Sequence, residues 1–279
     1  GDLLEHPDHP LYYKGFSSID TGPFPSLIEY NVSAPEKSAM SLSKLAPFTG
    51  NYMSSTFKKP SGDESELRII DFRNANAGDI GEYTLDISTG FSKLQELRLS
   101  NSCINTVKLP NDVSLKNLDV KQSNITSLEL NQQNFITEAD VSGCAVLNKI
   151  DILNCAKIER LTLNSSNAAI KSVTIANTPC MHTINFTGVP QLQEVNITGC
   201  PMLSSITINN CKSLKTVNIE LGDKLQTITI TSCASASQLN ITGDTLNILK
   251  TLNIQGSTFT GITYKIDSKT FEGYTDEER

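Results

Sequence analysis

The sequence predicts a mainly β chain, wound as a right-handed β-solenoid with two parallel sheets, and three observations carry that expectation. A short core of the form apolar–x–apolar recurs along most of the chain at nearly constant spacing. The apolar residues are Leu, Ile and Val, whereas aromatics make up only 6% of the chain and Trp is absent. A core of repeated layers needs only branched aliphatics, while an irregular core leans on large rings to fill uneven space. Helical spacing is missing throughout the repeating region, and alternation within each core is the period-2 signature of a strand.

The cores begin at Leu97, Val107, Leu118, Leu128, Ala139, Ile150, Leu161, Val173, Ile184, Val195, Ile206, Val217, Ile228, Leu239 and Leu252. Between Ala139 and Leu239 every step is 11 residues except one of 12. The full unit adds an apolar residue before each core and a cysteine after it. It reads Leu192-x-x-Val195-x-Ile197-x-x-Cys200, then Leu203-x-x-Ile206-x-Ile208-x-x-Cys211. Leu214-x-x-Val217-x-Ile219 and Leu225-x-x-Ile228-x-Ile230-x-x-Cys233 follow. One such unit is too short to circle a packed interior, so a coil takes two units, 22 residues, with a short strand on each side. Odd-numbered strands then stack in one sheet and even-numbered strands in the other, and the β-branched content suits both. Seven to eight coils at about 4.8 Å per strand make a stack of roughly 35 Å.

Outside this region Leu67-x-x-Ile70-x-Phe72 and Leu85-x-Ile87 predict two irregular early repeats, and Ile262-x-Tyr264-x-Ile266 a last strand. Residues 1–66 are expected to form an irregular N-terminal cap, 67–266 the solenoid and 267–279 a polar C-terminal tail. The first segment holds most of the prolines with Tyr12, Tyr13, Phe16 and Phe24, and has no period. A solenoid end exposes apolar surface unless something covers it.

The pattern LxxLxLxx(N/C)xL resembles the leucine-rich repeat, here in a Cys-bearing form. Val195-Asn-Ile-Thr-Gly-Cys200-Pro and Ile206-Thr-Ile-Asn-Asn-Cys211 are similar to divergent repeats of cell-surface proteins from gut bacteria. Ile104 to Pro110 and Ile125 to Leu130 are similar to repeats in tail proteins of phages infecting such bacteria. The resemblance implies architecture far more than function, because one scaffold serves many partners. Two features depart from it: both halves of the coil read as strands, and cysteine largely replaces the inward Asn.

Composition narrows the function. A net charge of −7 argues against nucleic acid, whose binders crowd Lys and Arg against phosphates. No apolar run of about 18 residues occurs, so no transmembrane segment is expected. The abrupt start at Gly1-Asp2-Leu3 reads as a trimmed or processed end, so a missing signal peptide says little about compartment.

Seven cysteines lack the close pairs of a zinc site. Cys144, Cys155, Cys200, Cys211 and Cys233 share one repeat position and are expected to be reduced, buried and structural, with Val189 and Thr178 in equivalent slots. Cys103 and Cys180 fall off register, towards the surface. His6, His9 and His182 are the only histidines, and none has the neighbours of a nucleophilic triad. No catalytic residue, metal site or cofactor is expected.

Outward positions of the early strands are Arg98, Lys108, Asp119, Glu129, Asp140 and Asp151. Stacked carboxylates can hold a cation or work as a glycosidase pair, but a flat sheet lacks the desolvating cleft, and a solvated face is the simpler expectation. Later outward positions change to Thr162, Asn185, Thr207, Thr229 and Asn253 on one side, and Thr174, Asn196, Asn218 and Asn240 on the other. These ladders either bond along the sheet or offer a nearly uncharged platform. Thr174, Asn196, Asn218, Asn240, Thr207 and Thr229 are the candidate binding residues.

Six Asn-x-Ser/Thr sequons occur, and Asn196 and Asn240 lie mid-strand where glycans would crowd, which points to a host that does not N-glycosylate. The expected function is a non-enzymatic interaction module, extracellular or on a bacterial surface, contacting host protein or glycan with possible self-association. The alternative is a structural or receptor-binding component of a phage tail, in the virion.

Overall fold

The structure, a computed structural model, describes residues 29–31, 54–58, 69–73, 82–88, 91, 93–111, 114–243, 249–266 and 269–273. His6, His9, the early aromatics and the tail from Thr275 lie outside the described residues. Among the described residues every regular element is a strand, and no helix is long and apolar enough to cross a membrane. Parallel strands stack coil upon coil as a β-solenoid.

The chain divides into two compact units, Gly1–Ser127 and Leu128–Arg279. The first contains β1 (Glu29–Asn31), β2 (Ser54–Lys58), β3 (Ile69–Asp71), β4 (Glu82–Asp86), β5 (Glu96–Arg98), β6 (Thr106–Lys108) and β7 (Asn117–Asp119). Its odd strands pair in the order β1-β3-β5-β7 and its even strands in the order β2-β4-β6, all parallel. Two strands thus lie within the segment expected to be an irregular cap.

The second unit begins within β8 (Ser127–Asn131) and continues with β9 (Glu138–Asp140), β10 (Lys149–Leu153), β11 (Arg160–Thr162), β12 (Ser172–Ala176), β13 (Thr183–Thr187) and β14 (Glu194–Thr198). Then come β15 (Ser205–Asn209), β16 (Thr216–Glu220), β17 (Thr227–Thr231), β18 (Gln238–Gly243), β19 (Thr251–Asn253), β20 (Gly261–Ile266) and β21 (Lys269–Gly273). Even strands β8 to β20 form one unbroken ladder in coil order. Val173 pairs with Val195, Val195 with Val217, and Val217 with Leu239, a constant 22-residue coil. The fifteen cores read from the sequence lie in β5 to β19. β21, in the segment expected to be a polar tail, pairs antiparallel with β20 and covers its open edge.

The five- and six-residue strands β8, β10 and β12 to β18 each bury two inward residues, as in β12 (Val173, Ile175), β14 (Val195, Ile197) and β17 (Ile228, Ile230). Burying each such aliphatic contributes about 1.5–3 kcal/mol, so every coil repeats the same favourable term. Corners are set by the backbone. Asn154 (φ 55°), Asn177 (56°), Gly199 (61°), Asn210 (53°) and Ser232 (56°) are left-handed, each immediately before an inward slot. Gly and Asn adopt that conformation most cheaply.

On the odd side the ladder is interrupted. β9 pairs with β11 and β13-β15-β17-β19 form a second ladder, but β11 and β13 are not hydrogen-bonded to each other. The single 12-residue step, from Leu161 to Val173, falls beside this break. Other corners pass from the second core residue to the slot in three residues, as in Ile197 to Cys200, whereas Leu163 to Asn167 takes four. That corner has no left-handed residue, and the extra residue is absorbed in a turn closed by Asn167 N–H to Asn164 C=O at 3.0 Å.

Candidate binding face and cleft

The five in-register cysteines are buried and free. Their thiols donate to corner carbonyls: Cys155 to Leu153 at 3.3 Å and Leu130 at 3.5 Å, Cys200 to Thr198 at 3.3 Å, Cys233 to Thr231 at 3.3 Å. Asn167 fills the same slot and donates to Val141 C=O at 2.7 Å, while the Thr178 hydroxyl lies 3.1 Å from Cys200 Sγ. The slot takes a small or medium side chain, and where it can donate, as with Cys or Asn, it satisfies a corner carbonyl; Val189 fills the slot without doing so. Burial pushes the Cys155 and Cys200 thiols up. Cys211 is raised by its neighbour Cys233 one coil away, and by burial. Cys103, expected towards the surface, is buried, and Cys180 is partly exposed.

Several of the early charges have local partners. Lys149 Nζ is 3.1 Å from Asp151, and that hydrogen bond raises the lysine's pKa, with Glu129 adding to it. Asp140 accepts from Ser142 N–H at 2.9 Å and from its hydroxyl at 2.6 Å. Among the described residues no three His, Cys, Asp or Glu side chains converge. His182 is exposed, and its backbone carbonyl accepts from Ser204 N–H at 2.9 Å.

The two Asn/Thr ladders differ in how much hydrogen-bonding capacity they have left. On the even side Asn196 donates to Thr174 at 3.4 Å, Asn218 to Asn196 at 2.7 Å and Asn240 to Asn218 at 2.7 Å. Gln238 then donates to Asn240 at 2.8 Å and to Thr263 at 3.0 Å. This chain of amides is half-buried and bonded to itself. On the odd side Asn185 aligns with Thr207, Thr207 with Thr229, and Thr229 with Asn253. Among the described residues the Thr207 and Thr229 side chains make no hydrogen bond, while beside them on the same face Thr231 donates to Asn209 at 3.0 Å.

Where β11 and β13 part, a cleft of about 370 Å³ opens. Arg160, Leu161, Thr162, Leu163, Asn164, Thr183, Asn185 and Thr187 line it. Thr162, Asn164, Thr183, Asn185 and Thr187 are exposed. Arg160 is held by Glu138 at 3.0 Å, and Thr187 Oγ1 donates to Asn185 Oδ1 at 3.0 Å. The His182 carbonyl and the Gly188 N–H bond to the β15 side. By alternation the N–H and C=O groups of Thr183, Asn185 and Thr187 face β11, which does not take them up. The expected ladder already contained Thr162 and Asn185 but not the gap between them. Arg160, Asn164, Thr183 and Thr187 were not anticipated, although the 12-residue step marked the place.

The arrangement offers recognition chemistry: hydroxyls, amides and unpaired strand-edge groups on a preformed wall. No family model, curated protein or solved structure matches the chain.

Proposed function

We propose that the chain is a non-enzymatic interaction module, a divergent leucine-rich-repeat-like solenoid on a bacterial surface, which contacts host glycan or protein through its odd-strand face. The observation that carries this reading is the contrast between the ladders: the even side spends its amides on itself, whereas Thr207 and Thr229 stand half-exposed and unbonded in a fixed lattice. A rigid lattice binds with little further ordering cost. From β13 to β19 the face has no Trp, Tyr or Arg anchor of the kind that dominates tight protein interfaces, so single contacts are weak and repeated display supplies strength. Mid-strand sequons at Asn196 and Asn240 support a source that does not N-glycosylate.

The test compares three proteins on a glycan array and on host cell surfaces: wild type, Thr207→Lys with Thr229→Lys, and the triple change of Asn196, Asn218 and Asn240 to Lys. The double variant places like charges about 5 Å apart on the odd side, and should lose binding while its circular dichroism stays that of strand. If only the triple variant loses binding, the even face docks the partner. If both bind as wild type while folded, the lattice is structural and the N-terminal segment becomes the better candidate.

A further inference from the structure

We propose that the cleft between β11 and β13 is a saccharide subsite that takes a single sugar ring, an assignment that rests on the binding-module reading and names its ligand. Size is the first argument. The cleft is shallow and open to solvent, and its volume of about 370 Å³ leaves room for one sugar ring rather than for a longer chain. Because β10, β12 and β14 remain laddered on the opposite side and hold the coils at one strand spacing, neither a strand nor a ring passes between β11 and β13, and the ring lies across the mouth of the cleft. An inserted strand would need two spacings of about 4.8 Å.

Chemistry is the second argument. Asn185 Nδ2 and the hydroxyls of Thr162 and Thr183 have no hydrogen-bond partner among the described residues, and the Thr187 hydroxyl keeps its lone pairs after donating to Asn185. Between them the β13 edge alternates N–H donors and C=O acceptors. A ligand that answers this set must both donate and accept at closely spaced positions, as a ring of vicinal hydroxyls does. Leu161 and Leu163 form part of the lining but are inward and only 7% and 4% exposed, so they offer a ligand little surface.

Charge is the third. Arg160 is the only lining cation, and Glu138 at 3.0 Å neutralises it, so an anion finds no surplus positive field. No aromatic lines the cleft, which disfavours a flat aromatic ligand. A neutral polyol ring is what remains.

The experiment titrates the isotope-labelled full chain with glucose, galactose, mannose, xylose and N-acetylglucosamine while recording amide resonances. At least one sugar should give saturable shifts confined to residues 160–164 and 183–187. Asn185→Ala and Thr187→Val should each weaken that sugar about tenfold, the loss expected for one or two hydrogen bonds. Both positions are exposed and Val keeps the strand preference, so the variants should fold. Thr216→Val, on the opposite sheet, should leave binding unchanged. The assignment is overturned if no probe saturates, if shifts instead centre on Thr207 and Thr229 and survive Asn185→Ala, or if only an extended peptide perturbs these amides. A chain that still binds a surface glycan or host protein while the cleft amides stay still would sink the subsite and leave the wider reading standing. A chain that binds neither free sugar nor any array or cell-surface partner would overturn both.

Discussion

At the scale of single residues, the inward slot and the left-handed residue before it decide the corner. The cysteines were legible because their spacing is regular and the site takes only small or medium side chains. The corner Asn and Gly were not, since Asn154, Asn177 and Asn210 look in sequence like the outward Asn196 and Asn218 and differ only in backbone sign. Gly199→Ala should cost about 1–3 kcal/mol, the usual cost of a left-handed non-glycine residue. Its new Cβ would also meet the Asn177 backbone N at 3.0 Å and Cα at 3.1 Å. Ser232→Gly should act in the opposite sense and raise Tm, and thermal melts of both variants check the pair. A second prediction concerns pH. Burial raises the Cys155 and Cys200 thiols above their ordinary 9.0. The unfolded chain loses those protons first, so their contribution is complete below pH 9.0 and is lost as pH rises beyond it. The slope approaches about 1.4 kcal/mol per pH unit for each thiol. Cys155→Val should remove one such slope in denaturant titrations between neutral and alkaline pH; an unchanged slope would show that this thiol does not titrate with unfolding.

At the scale of elements, strands with two inward aliphatics were readable from periodicity alone, and the parity of the two sides followed from coil length. The short strands β1, β2 and β21 were not, because three to five residues without a flanking repeat carry too little period to stand out. The interrupted ladder lay between these cases. Its 12-residue step was visible, but a step alone does not say whether the extra residue bulges harmlessly or parts the strands. The structure places it in the Asn164–Asn167 turn, and that placement can be tested. Deleting Ser165 together with Ser166→Gly restores the three-residue corner and supplies a residue suited to the left-handed position. β11 should then pair with β13, the Asn185 and Thr187 amides should gain protection from hydrogen exchange, and sugar shifts at the cleft should vanish. If protection stays low in the folded variant, the extra residue is not what parts the strands.

At the scale of the whole molecule, the distribution of charge predicts how binding responds to salt. The net charge is −7, yet residues 181–260 carry four acids and four lysines and are balanced. A partner held by hydroxyls and amides on that region involves few ion pairs, and screening acts on exposed charges over about 10 Å at 0.1 M salt. Desolvating neutral polar groups also costs less than desolvating carboxylates. Binding of the full chain to its glycan or surface partner should therefore change little as ionic strength rises from about 0.05 to 0.5 M, whereas a contact through the charged early strands should weaken steeply over that range. The measurement is the apparent Kd of the chain displayed densely on beads, compared with the free chain at each salt concentration. Dense display should tighten binding by about 10² to 10⁴ if contacts are weak and repeated. Steep salt dependence, with binding lost on neutralising Asp119, Glu129 and Asp151 but kept in the Thr207 and Thr229 variants, would move the partner from the polar lattice to the charged strands.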